Sequence, residues 1–170
     1  MVVEHEFVTT LEGPEVMGRA ARFLANRGFA AAPDAAFQAA VPGHAAGAWS
    51  AVEMGRGRKK PARVRRFADL PQVVMAQFDR GRVEVACQVR PWRDKPKDYH
   101  TRAAVAMLRA VEQAVAGDEQ AAAAEWSAGE RFADAQLARA RRNYLILLWA
   151  ILAAVFLPLI GLLVYAITSV

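Results

Sequence analysis

The sequence predicts an α+β fold: a two-layer antiparallel sheet of four to five strands with two helices on one face, followed by a helical stalk and one C-terminal transmembrane helix. Three observations carry this expectation. Val83, Val85, Cys87 and Val89 alternate with Glu84, Ala86 and Gln88, the period of a strand with one apolar face. Two stretches, Val16-Ala20-Phe23-Leu24 and Ala104-Met107-Leu108-Val111-Val115, repeat at helical spacing. Finally, of the 22 Lys+Arg and 17 Asp+Glu residues none lies after Arg142, so the last part of the chain is chemically a different material.

Taken in order, Glu6–Leu11 has strand composition and ends at Glu12-Gly13-Pro14, where Pro14 can open a helix at its first position. A helix over 15–27 follows, closed by Gly28 in a left-handed turn, with Arg19, Arg22 and Asn26 off its apolar side. The Ala-rich stretch 29–41 is bounded by Pro33 and Pro42 and allows one short strand around Phe37. Trp49–Met54 reads as a strand. Val73–Phe78 and Val83–Val89, joined by Asp79-Arg80-Gly81, read as a hairpin with one wet face. Pro91–Lys97 is a loop, Asp98 an N-cap, and the second helix ends before Gly117. The domains predicted are an α+β domain over 1–117, an acidic, Ala-rich stalk with a juxtamembrane arginine cluster over 118–143, and a span over 144–167.

That span, Tyr144–Ile167, has 24 uncharged residues. As a helix it would measure about 36 Å against a hydrocarbon core of about 30 Å. Tyr144, Trp149 and Tyr165 lie toward its ends, where aromatic rings favour the water boundary. A buried core helix is the competing reading, but a helix apolar all round needs protein on every side, and the preceding residues could hardly wrap one this long. Arg139, Arg141 and Arg142 precede the span and only Thr168, Ser169 and Val170 follow it, so the expected arrangement is tail-anchored and single-pass, with the N-terminal domain in the cytoplasm and the C-terminus on the opposite side. Pro158 should bend the span. Ala150, Ala154 and Gly161 fall near one face and offer a seam for a homodimer. The start, Met-Val-Val-Glu-His-Glu, lacks the basic and apolar regions of a secretory signal.

The chemistry-bearing residues are few. The single cysteine, Cys87, permits no intrachain disulfide and no cysteine-based zinc site, and its place on an apolar strand face makes it a buried thiol rather than a nucleophile. His5, His44 and His100 have no second ligand at a metal-binding spacing; in Glu4-His5-Glu6 the strand period puts His5 on the face opposite the two carboxylates. No nucleophile elbow, zinc helix, dinucleotide fingerprint or Walker loop occurs. No metal, cofactor or catalytic set is therefore predicted.

The one unusual polar feature is a basic run, Arg56, Arg58, Lys59, Lys60, Arg63, Arg65 and Arg66, which gives residues 56–66 a net charge of +7, while residues 112–138 carry −5. A run of this kind is ordinarily a solvated loop. Beside a membrane anchor it is also a candidate site for anionic lipid headgroups, each basic residue contributing up to about 1 kcal/mol. Arg56-Gly57-Arg58 resembles the Arg-Gly-Arg core of an AT-hook, which would imply minor-groove binding, although Lys59 stands where that motif has proline. The acidic stalk residues Glu112, Asp118, Glu119, Glu125, Glu130 and Asp134 could pair with the basic run as a weak electrostatic latch.

The expected function is thus a membrane-tethered cytoplasmic binding domain for a protein partner or an anionic surface. The alternatives are an enzyme or small-molecule binder with its site between sheet and helices, and nucleic-acid binding through the basic loop.

Overall fold

The computed structural model describes residues 1–31, 50–57, 64–90 and 97–168. It divides the chain into two compact units, Met1–Asp134 and Ala135–Val170. The first unit contains strands β1 (Val2–Val8), β2 (Ala30–Ala31), β3 (Ser50–Arg56), β4 (Gln72–Asp79) and β5 (Arg82–Val89), helices α1 (Gly13–Ala25) and α2 (Asp98–Ala116), and the start of α3 (Glu119–Thr168). The strands form one sheet in the order β1-β5-β4-β3-β2, antiparallel at every pairing, with β2 only two residues long. This is the α+β architecture expected.

Register shows which face carries the core. His5, Val85 and Ala76 lie side by side across three strands, as do Phe7, Val83 and Phe78. His5 Nε2 meets Glu112 of α2 at 2.7 Å, and Gly13 at the start of α1 abuts the ring of Phe78, so both helices lie on this one face. Val74, Ala76, Val83, Val85, Cys87 and Val89 beneath them are fully buried, together with Val16, Ala20 and Leu24 of α1 and Met107, Leu108 and Val111 of α2. The opposite face is less wet than strict alternation implies. Met75 and Ala86 are buried there with Val2 and Val73 packed against them, and Gln77 and Gln88 are buried as well. Small and unbranched side chains at its centre let neighbouring side chains close over it.

The turns follow local chemistry. In the hairpin both Arg80 and Gly81 have positive φ, 49° and 85°, the two-residue turn whose twist matches the flanking strands. Helix α1 begins at Gly13 with Pro14 in its first turn, earlier than the spacing predicts, and ends in a Schellman motif: Gly28 has φ 79°, Gly28 N donates to Ala25 O and Phe29 N to Leu24 O. Helix α2 ends the same way at Gly117, φ 94°, with Asp118 N bonded to Gln113 O. Asp118 then caps α3, accepting from Ala121 N at 2.9 Å.

Three local expectations need correction. The first strand occupies Val2–Val8 rather than Glu6–Leu11, because its charged residues face outward and cost nothing there; Glu6 pairs with Arg82 at 2.8 Å. Asp98 is the first residue of α2, not its cap. The Lys97 N–H donates instead to Nδ1 of His100, a buried ring stacked on Phe67, while Asp98 sits where the helix dipole favours an anion. The two-residue β2 was not foreseen. The strand expected around Phe37 and most of the loop expected over 91–97 lie outside the described residues.

The second unit is helical. Among the described residues one helix, α3, is long and apolar enough to cross a membrane, and none of its most apolar stretch is buried in protein. Tyr144, Leu147, Trp149, Phe156, Leu157 and Ile160 are all exposed, and Pro158 lies inside the helix. Long apolar side chains left uncovered along successive turns suit lipid and are costly in water.

Candidate functional site

The basic run begins on a strand and not in a loop. Arg56 is the last residue of β3, and its side chain is only 8 % exposed. The guanidinium is held by three acceptors: Nη2 donates to Oε1 of Glu130 at 2.5 Å, Nε to Oε1 of Gln72 at 2.9 Å and Nη1 to the carbonyl of Arg27 at 3.1 Å. It also lies 4.7 Å from the ring centre of Phe29 and 5.1 Å from that of Trp126. Gly57 then turns the chain away at φ 76°, and a Cβ there would overlap the carbonyl of Leu70, so only glycine serves.

Arg58, Lys59, Lys60 and Arg63 lie outside the described residues. On the returning limb Arg65 and Arg66 have exposed side chains, and their backbone N–H groups both donate to Oδ2 of the buried Asp69, at 2.9 and 3.0 Å. Phe67, fully buried, follows in a short 3-10 turn; its N–H donates to Oδ1 of Asp134 at 2.5 Å and its carbonyl accepts from Gln72 at 2.6 Å. The structure thus joins the two limbs of the basic segment to one face of α3, through Glu130 on one side and Asp134 on the other, four residues apart and so neighbours on the helix. Of the pairing expected between basic run and acidic stalk, the described residues show Arg56 with Glu130; Asp134 accepts instead from the backbone of Phe67, just past the run.

The same face of α3 docks by packing. Ala122, Trp126 and Ala133 are buried. The Trp126 ring stands edge-on to Phe23 at 5.6 Å and to Phe29 at 5.8 Å, close to the quadrupole-favoured arrangement. Gly129 lies against Ala106 and Ala103 of α2, and an added Cβ would come within 2.7 Å of the Ala106 methyl. Arg27 stacks over Phe23 at 3.5 Å, with Trp126 at 5.4 Å. Burial pulls its guanidinium below the usual range, Glu130 opposing that and Arg56 adding to it. A scan against protein-family models returns no match, and no curated protein or solved structure matches the chain. Function must therefore be argued from this geometry.

The remaining candidates have structural roles. Cys87 is fully buried, and burial pushes its thiol up to about 12. An unfolded thiol ionises near 9.0, so between those values the folded state holds a proton that the unfolded state has lost. Stability from this group is intact below pH 9 and falls as pH rises toward 12, by up to about 1.4 kcal/mol per pH unit. Cys87→Ala is expected to flatten the alkaline limb of a plot of unfolding free energy against pH, and in the native protein the thiol should resist modification by disulfide reagents. His5 bonds Glu112, and His100 caps α2. Among the described residues no group of three or more His, Cys, Asp or Glu side chains could hold a metal ion.

Sequence reasoning assigned Arg56 to the solvated run and missed Arg27 and Trp126. The one signal available was an aromatic residue in an otherwise Ala-rich acidic stretch, since a lone tryptophan there has to be buried somewhere.

Proposed function

We propose that the chain is a single-pass membrane protein in which the apolar half of α3 crosses the bilayer and the folded unit works at the cytoplasmic face as a binding module. The observation that carries this reading is the uncovered apolar surface of α3. Arg139, Arg141 and Arg142 before the span support a cytoplasmic side for the folded unit. The contact surface is the basic segment Arg58, Lys59, Lys60, Arg63, Arg65 and Arg66, offered to anionic lipid headgroups or an acidic protein; Arg56, held by Glu130, serves to position it. Tethering raises the effective concentration of such a module near the membrane.

A site between sheet and helices is disfavoured by the filled interface there, where six strand side chains have no exposed surface. Nucleic-acid binding would be marked by affinity falling steeply with salt.

The test is extraction of the full chain from its membranes. It should remain in the pellet through an alkaline carbonate wash and leave only with detergent, and protease added from the cytoplasmic side should digest the folded unit. Leu147→Arg combined with Leu157→Arg should abolish retention. A wild-type chain washed free without detergent contradicts the anchor, and a folded unit shielded from cytoplasmic protease contradicts the orientation.

A further inference from the structure

A cleft of about 410 Å³ opens on the folded unit where the last turns of α1 meet the end of α2 and the start of α3. Arg19 and Arg22 of α1 and Asn26 and Arg27 of the turn that follows it line the cleft, with Gly117 and Glu119 opposite. Arg19 and Arg22, three residues apart, are neighbours on the last turns of α1, and Asn26 and Arg27 follow at its C-cap and in the turn that closes it.

Two helix C-termini converge here, and their carbonyls alone would repel an anion. Those carbonyls are already matched. Arg19 Nη1 donates to Val115 O at 2.8 Å, Arg27 Nη1 donates to Phe23 O at 3.1 Å, and the Schellman bonds at Gly28 and Gly117 satisfy Leu24, Ala25, Gln113 and Ala114. What remains is a surplus of donors. A guanidinium carries five N–H groups. Arg19 uses some of its own on Val115 and on Glu15, at 2.7 Å, whereas Arg22 is exposed and has no acceptor among the described residues. Among the described residues Arg27 has no carboxylate within ion-pair distance, and Glu119, the one acid among them that lines the cleft, is likewise in no ion pair. Stacking on Phe23 fixes the plane of the Arg27 fork.

We propose that this cleft binds a phosphate-type oxyanion, gripped between Arg22 and Arg27 with Arg19 and Asn26 at its rim. Planar forks held in place match phosphate oxygens in pairs, which a flexible ammonium would not do. An anion also offsets the crowding of Arg27 beside Arg56, the effect that helps to depress Arg27. Lipid headgroups and soluble phosphates share this chemistry. The cleft lies wholly within the folded unit, so its occupancy does not depend on the anchor.

The experiment is calorimetric titration of inorganic pyrophosphate into the full chain held in phosphatidylcholine nanodiscs. Binding is expected, weakened about fivefold by Arg22→Ala and tightened by Glu119→Gln, which removes an opposing charge from the cleft wall. Both changes are at the surface and leave the fold intact. Arg109→Ala, an exposed arginine of α2 outside the cleft, should leave affinity unchanged. No binding by the wild type overturns the proposal, and so does an equal loss in Arg22→Ala and Arg109→Ala, which would mean that net charge alone is being read. Repeating the titration in nanodiscs doped with phosphatidylglycerol identifies the source. Competition that disappears with Arg22→Ala marks a headgroup as occupant, and no competition marks a soluble phosphate.

Discussion

Trp126→Ala is expected to lower the unfolding free energy of the first unit by about 4 kcal/mol, the middle of the range for removing a buried aromatic side chain. The ring is 2 % exposed and contacts Phe23 and Phe29 edge-on, with the guanidinium groups of Arg27 and Arg56 over it, so its loss leaves a cavity shared by α1, the start of β2 and α3. Partial collapse cannot fill that space, because the neighbouring residues are tied by their own hydrogen bonds. Hydrogen exchange over residues 119–134 should accelerate more than exchange in β4 and β5, since α3 loses its main apolar anchor while the hairpin keeps its ladder. Trp126→Phe separates packing from polarity. Trp126 Nε1 is buried with no hydrogen-bond partner among the described residues, so phenylalanine keeps most of the ring, discards an unmatched donor and should cost no more than about 1 kcal/mol. Urea denaturation of the full chain in detergent measures all three proteins, and equal losses in the two variants would contradict this packing account.

Arg56→Ala is expected to cost about 3 kcal/mol, the low end for breaking a buried ion pair, because Glu130 at 28 % exposure can regain water once its partner has gone. Gln72, almost fully buried, would keep only the bond to Phe67 O, and the Arg27 carbonyl would lose its donor. Glu130→Gln should cost a similar amount by the converse route, leaving Arg56 and Arg27 side by side with no carboxylate at contact distance among the described residues. The double variant Arg56→Met, Glu130→Leu should be less destabilised than the sum of the singles, since an apolar pair can occupy the same space without unmatched charge. A strictly additive result would mean that the two residues act separately.

These two predictions concern residues whose importance the linear pattern conceals. The hairpin was legible because alternation of Val83, Val85, Cys87 and Val89 is a local signal, and Gly81 supplies a turn conformation that other residues resist. Helix α2 was legible for the same reason, with its apolar period and a terminating Gly117. The first strand was placed too late because Thr9, Thr10 and Leu11 continue the strand-like composition of Phe7 and Val8, and only the ladder with β5, which runs from Val2 to Val8, shows where pairing begins and stops. Arg56 was read with its basic neighbours because charge runs are usually solvated, and nothing adjacent in the chain announces Glu130, 74 positions away. Arg19, Arg22 and Asn26 looked like an ordinary wet helix face, and Arg27 drew no notice; only the approach of α2 and α3 turns that face into a concave surface.

What the sequence determined by itself is therefore periodic or compositional: the α+β class, the hairpin, the two amphipathic helices and the apolar last part of α3, each encoded by neighbours within one or two turns of chain. What only the tertiary structure decided is which charges pair and which stay surplus. Electrostatic pairing and burial depend on distance through space, and a closed fold brings Arg56 to Glu130, Phe67 to Asp134 and Arg27 to Trp126 across separations that no local pattern records.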